Sequence, residues 1–303
     1  MKAVALYSLK GGVGKTTAAV HLAHLAARAG RPTLLWDLDA QGAASWVFRV
    51  RPGEDSRPKR WLREPSALWQ SIRGSDWPGL DVLPADLALA ALENALRREE
   101  EPAATFSALL AELGKRYERI VLDCPPALSP LVRCALNAVD VLLVPTIPTP
   151  LSLRTLAMLY PELKAARRRG LLVLPFFSMV DGRKAIHRQV RSFARGERLG
   201  FLSAEVPYSA RIENAAVLRR PLTAAAADRN VAEPAAQAFV TLEREIEERL
   251  QQGTPGPKLG RARIDEFLRE LGRDLGAKPR PEAPPPSTNG AEAHEEDSPL
   301  AET

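Results

Sequence analysis

The sequence predicts an α/β fold, a mostly parallel, twisted sheet flanked by helices on both faces and followed by a disordered C-terminal tail. Three observations carry that reading. Short apolar runs recur along the 303 residues, longer helical patterns separate them, and a glycine-rich turn joins the first run to the first helix. The runs are Ala3 to Leu9, Thr33 to Trp36, Leu80 to Leu83, Ile120 to Leu122, Val139 to Pro145 and Leu171 to Phe177. Several are almost continuously apolar, as strands covered on both faces must be. Between the first two lies TTAAVHLAHLAARAG, an alanine-rich helix closed by Gly30.

Residues 49–63, RVRPGEDSRPKRWLR, are polar and contain proline, and predict a surface excursion. Residues 1–252 form the folded domain. Beyond Gly253 the composition shifts to TPGPKLG, a short helix over 261–275, and a Pro-rich acidic stretch that cannot bury enough apolar surface to offset its ordering entropy. Charge divides the same way: residues 253–303 hold 7 Lys+Arg against 10 Asp+Glu, leaving 35 against 27 in the body. A basic body favours a polyanionic partner, nucleic acid or anionic lipid. No run of 18 apolar residues and no leader pattern occurs, and two cysteines, Cys124 and Cys134, are too few for a disulfide framework; the expectation is a cytoplasmic protein.

The glycine-rich turn nearly matches the phosphate-binding pattern G-x-x-x-x-G-K-S/T. Backbone N–H groups can wrap phosphate oxygens only where side chains do not obstruct, and a helix N-terminus, a lysine and a hydroxyl complete such a cradle. Gly11, Gly12, Val13, Gly14, Lys15, Thr16 and Thr17 supply these parts directly after a strand and at the start of a helix. Carboxylates at the ends of neighbouring strands serve Mg²⁺ and water activation. Asp123 ends RIVLD, and Asp37 and Asp39 follow the second strand in TLLWDLD, two residues apart on an extended segment; each alone also suits a turn. Lys10 is a second lysine in the loop. A further ammonium from the same loop on the same phosphate would be redundant and self-repelling, whereas one projecting outward reaches the nucleotide of another copy.

KGGVGKTT at 10–17, DLDAQG at 37–42, DCPP at 123–126, ALNAVD at 135–140 and VPYSARIENA at 206–215 resemble, in order and spacing, the deviant Walker A ATPases of the ParA/MinD group; LDVLPADLALAALENAL at 80–96 is similar to the ParA/Soj branch. The resemblance implies a P-loop ATPase fold, ATP and Mg²⁺ as cofactors, and a homodimer closed over two nucleotides with Lys10 acting in trans. It implies that Gly11 to Thr17 hold the triphosphate, that Pro207 contacts the nucleotide, and that Lys10, Lys15 and Asp39 are catalytic, with Asp39 positioning the attacking water. Thr16, Asp37 and Asp123 would serve the metal. Ala40 replaces the usual proline, and PTIPTPLSLRTL at 145–156 lacks the acidic or glutamine residues common there.

Lys184, Arg188, Arg191 and Arg195 fall at i, i+4, i+7 and i+11 on one helical face, with Ile186, Val190 and Phe193 on another. With the family's habit of binding DNA non-specifically as an ATP dimer, this face is the expected DNA contact, extended by Arg211 to Arg220 and Arg167 to Arg169. The function implied is partitioning or positioning of a chromosome, plasmid or protein cargo, through hydrolysis stimulated by a ParB-like or cargo-adaptor protein on the nucleoid. The alternative is a MinD-like membrane-associated ATPase, but helix 261–275 mixes charge signs on its polar face and is expected to dock a protein partner or nothing. A shared iron–sulfur cluster on Cys124 and Cys134 is disfavoured because Cys124 adjoins Asp123 in a setting without glycines. His21 and His24 lack a third ligand and read as helix surface or packing.

Overall fold

The computed structural model describes residues 1–53, 58–86, 89–163, 170–224, 233–252 and 261–274. Among them eight strands form one sheet: β1 (Lys2–Leu6), β2 (Thr33–Asp37), β3 (Arg73–Gly74), β4 (Leu80–Leu83), β5 (Arg119–Asp123), β6 (Val141–Thr146), β7 (Leu172–Val180) and β8 (Glu205–Pro207). Their order is β3-β4-β2-β5-β1-β6-β7-β8, parallel except for the β3–β4 pair. All six expected runs are strands. β3 and β8 escape a search for apolar runs because neither has one. β7 continues past Phe177 through Ser178, whose hydroxyl is used inside the fold.

The central strands β2, β5 and β6 are buried at every residue, which is why their sequences are apolar on both faces. One layer contains α3 (Pro58–Arg63), α4 (Leu89–Leu96), α5 (Pro102–Leu113), α6 (Pro130–Ala138), α7 (Pro150–Glu162) and α8 (Ala185–Gly196). The other contains α1 (Lys15–Arg28), α2 (Ala43–Val47) and α10 (Pro234–Gln252), with α9 (Ala210–Val217) at its margin. Proline opens α5, α6 and α7, where its missing N–H costs nothing, and the Ser129 and Thr149 hydroxyls cap α6 and α7.

Two expectations change. The polar stretch at 49–63 is not purely a surface excursion, because α3 turns Trp61 into the core, edge-on to Trp36 at 6.1 Å. The helix expected at 261–275 exists as α11 (Arg261–Asp274), but it docks on its own chain rather than awaiting a partner. Ile264 is buried against the core that α7 helps to form, the Phe267 ring stacks on Phe193 of α8 at 3.9 Å, and Arg263 pairs with Glu197 at 3.0 Å. The tail on either side of α11, Leu275 and Arg167 to Arg169 lie outside the described residues. Among those described, no helix is long and apolar enough to cross a membrane.

His21 and His24 are packing residues on the buried side of α1. The His21 Nδ1–H donates to the Thr17 carbonyl at 2.6 Å, Nε2 accepts from the Leu222 amide at 3.0 Å, and the ring stacks on Phe239 at 4.1 Å. Both nitrogens are spoken for in the neutral form, and burial lowers the imidazole pKa from 6.5 to about 4. The unfolded chain therefore binds a proton between pH 6.5 and 4 that the native chain refuses. Stability present above pH 6.5 is lost as pH falls through that window, by about 3 kcal/mol from this residue. His21→Gln, which keeps a donor and an acceptor, is expected to flatten that part of the pH dependence; thermal melts at pH 7 and pH 4.5 check it, and an equal fall in both proteins contradicts it.

Candidate phosphate-binding site

The loop between β1 and α1 is shaped by two glycines in left-handed backbone conformation, Gly12 at φ +66° and Gly14 at φ +88°. Gly14 is the N-cap of α1, and no side chain caps the helix and no acidic residue lies in its first turn. The helix N-terminus is thus left to attract an anion from outside. From the far side, the Ser178 hydroxyl donates to the Val13 carbonyl at 2.5 Å, and a Cβ on Gly14 would lie 3.3 Å from that same hydroxyl. Lys15 is 8% exposed, and its ammonium reaches the Lys10 carbonyl at 3.4 Å. Burial lowers its pKa, and the charges of Asp123 and Asp39 work against that fall.

Sheet register brings the carboxylates to this loop. Leu6, Asp123 and Asp37 are lateral neighbours at the ends of β1, β5 and β2. Asp123 is 1% exposed, and neither carboxylate oxygen has a hydrogen-bond partner. Burial first, then the charge of Asp37, drives its pKa well above the ordinary carboxylate range. The Thr16 hydroxyl opposes the rise, without a well-formed bond to it. A buried carboxylate without a partner is costly unless a cation completes it, and Thr16 and Asp123 together fit a magnesium ion carrying its own water shell.

Asp37 is equally buried, yet its oxygens are committed. Oδ2 accepts from the Ser45 amide at 2.9 Å and its hydroxyl at 2.7 Å, and Oδ1 from the Asp39 amide at 3.2 Å. Expected beside the metal, it instead clamps the turn into α2. Asp39 stays partly exposed, accepting from the Gln41 amide at 3.0 Å, while the Gly42 amide closes the turn on its carbonyl at 2.8 Å. These bonds hold the turn with Ala40 in the proline's place.

The Lys10 ammonium donates to Ser152 Oγ, in the first turn of α7, at 3.3 Å. Pro207 lines a small pocket with Gly14, Thr17, Phe176, Met179 and Tyr208, beside the loop. Ser45, Ser152 and Ser178 were invisible as site residues, because a serine in a strand or first helical turn carries no pattern until its distant partner is known.

The basic face of α8 is less free than its spacing predicts. Arg191 and Arg195 both pair with Glu205 on β8, at 2.5 Å each. Arg188 donates to the Gly182 and Arg183 carbonyls, and Lys184, at the N-cap, is exposed. Arg211 pairs with Glu233. Cys124 and Cys134 are both buried thiols, and burial pushes the Cys124 thiol up, away from the thiolate that a cluster ligand must be.

Because the folded chain raises the Asp123 pKa, the ionised residue costs stability at pH 7 that the unfolded chain does not incur. Asp123→Asn is expected to raise the unfolding midpoint of the ligand-free chain by several degrees, at roughly 2–4 °C per kcal/mol, while losing Mg²⁺-dependent nucleotide affinity. Calorimetry checks the first, and an unchanged or lower midpoint contradicts it.

A family model described as AAA domain matches residues 1–172. The chain is 33% identical over 261 residues to the chromosome-partitioning ATPase Soj of Thermus thermophilus, a match covering 83% of this chain and 98% of Soj. It is also 33% identical over 158 residues to a relative from Sinorhizobium fredii described as replication protein A, of whose length it spans only 39%. Among solved structures, cobyrinic acid a,c-diamide synthase of Mycobacterium smegmatis with bound ADP and magnesium superposes with a TM-score of 0.66 at 22% identity, covering 86% of this chain and 99% of that one. The cell division ATPase MinD of Pyrococcus furiosus does so at 0.64 and 21%, covering 82% and 98%. At such identities these two likenesses speak for the fold. Together with a family match over more than half its length and a relative aligned almost end to end, they lead to one assignment: the chain belongs to the ParA/MinD family of P-loop ATPases.

Proposed function

We propose that this chain is a positioning ATPase of the ParA type. It binds ATP with Mg²⁺, pairs with a second copy across two nucleotides, holds DNA without sequence preference in the paired state, and lets go after hydrolysis that a ParB-like or cargo-adaptor protein accelerates. Carried cargo, whether chromosome, plasmid or protein assembly, then follows the ATPase over the nucleoid. The observation that carries this reading is the pair of lysines. Lys15 is buried within its own loop, whereas the Lys10 ammonium is turned to α7 and Ser152.

In this reading the amides of Gly11 to Thr17 and the α1 N-terminus bind the phosphates, and Lys15 neutralises charge building on the transferred group. Thr16 and Asp123 would hold Mg²⁺, which neutralises phosphate charge when bound. Asp39, half exposed on a fixed turn, orients the water, and Asp37 keeps that turn in place. Lys10 leaves Ser152 for the partner's nucleotide, a cation supplied in trans of the kind that contributes about 10³ to 10⁵ in rate elsewhere. Pro207 and Tyr208 border the base.

A membrane-associated alternative needs a free amphipathic helix. The apolar line of α11 is already spent on Phe193 and the core beside α7, which favours DNA over lipid.

The test is binding to a random-sequence 60-base-pair duplex against salt, with ATP, ADP or no nucleotide. The proposal expects at least about tenfold tighter binding with ATP and a steep fall with salt. Binding indifferent to nucleotide, or binding to anionic vesicles and not to DNA, contradicts it.

A further inference from the structure

A cleft of about 940 Å³ lies between α3 and the C-terminal end of α4, apart from the phosphate loop. Five cations line it: Lys59, Arg60 and Arg63 from α3, Arg97 and Arg98 after α4. Arg60 is paired with Glu64 at 2.7 Å and Arg97 with Glu93 at 2.9 Å, each one turn away on its own helix. The Arg60–Glu64 pair is solvent-exposed and weak, so a stronger anion can displace it, whereas Arg97 is held by the half-buried Glu93. Lys59, Arg63 and Arg98 are exposed, and their side chains make no ion pair or hydrogen bond among the described residues. Among the described residues the one carboxylate in the lining is Glu99, which accepts from the Thr105 hydroxyl at 3.5 Å.

On α8, by contrast, Glu205 takes up two of the four cations. Three cationic side chains of the α3–α4 cleft, Lys59, Arg63 and Arg98, are therefore without an ionic partner among the described residues, against Lys184 and Arg188 on α8, although Glu64, Glu93 and Glu99 leave the cleft no more positive than α8 with Glu205. Leu62 and Ala95, both half-buried, also line the cleft. Among the described residues no aromatic ring lines it, so none is offered for a base to stack on, and Asn94 is the one side-chain amide available to read an edge. Such a surface meets a phosphodiester backbone and ignores sequence. We infer that the α3–α4 cleft is a DNA-backbone site of this chain, in addition to the basic face of α8. The inference rests on the reading of the chain as a DNA-binding ATPase and names where that contact is made.

The experiment measures duplex affinity against salt, with ATP, for the full chain and three variants. Lys59→Gln, Arg63→Gln and Arg98→Gln together remove the uncommitted cleft charge. Lys59→Arg, Arg63→Lys and Arg98→Lys together retain it. Lys184→Gln with Arg188→Gln removes the free charge of α8. Three lost phosphate contacts reduce the salt slope by about 2.7 per cleft and the affinity at 0.1 M salt by a factor on the order of 10². The inference expects that loss in the first variant and near-normal binding in the charge-keeping one, whatever the loss in the α8 variant. If the neutral cleft variant binds like the unmodified chain while the α8 variant does not, the inference is overturned and the DNA reading stands. If the unmodified chain with ATP binds no duplex at any salt, both fall. Poly-L-glutamate binding more tightly than DNA, with the same dependence on the three residues, would reassign the cleft to an acidic protein partner.

Discussion

Negative charge buried at the strand ends is the constraint around which this molecule is organised. Asp37 and Asp123 sit side by side on β2 and β5, almost without solvent, and burial raises the pKa of both. The fold resolves the two differently. Asp37 receives the Ser45 and Asp39 donors and becomes an internal anchor, whereas neither carboxylate oxygen of Asp123 has a hydrogen-bond partner. Storing that cost in the ligand-free state lets binding release it, since interactions absent before the ligand arrives are the ones that drive its capture.

The loop is the counterpart of that arrangement. Its glycines, the uncapped start of α1 and Lys15 concentrate positive potential within reach of Asp123. One phosphate group needs no second lysine from the same strand of chain, and Lys10 is turned to α7 instead. That helix also supports α11, which stacks on α8. A continuous packed path therefore runs from the lysine to the basic helix.

Much of this was legible from residues alone. Continuous apolar runs identify strands covered on both faces, and the glycine-rich turn lies between strand and helix as expected, because both patterns follow from local backbone requirements. What escaped depends on distant neighbours. A two-residue β3 has no pattern to find, and Trp61 looked like part of a polar excursion until Trp36 was beside it. The spacing of Lys184, Arg188, Arg191 and Arg195 correctly gave one helical face, but Glu205 lies on another strand and takes up half of it. Asp37 and Asp39 looked alike in sequence; only the Ser45 contacts separate anchor from exposed carboxylate.

Sedimentation reports whether two chains pair over two nucleotides. An Asp39→Ala chain saturated with ATP and Mg²⁺ should sediment as a dimer, and adding Lys10→Ala should return it to single chains that still bind nucleotide. Single chains in the Asp39→Ala protein at full nucleotide occupancy, or dimers that persist without Lys10, would contradict the account.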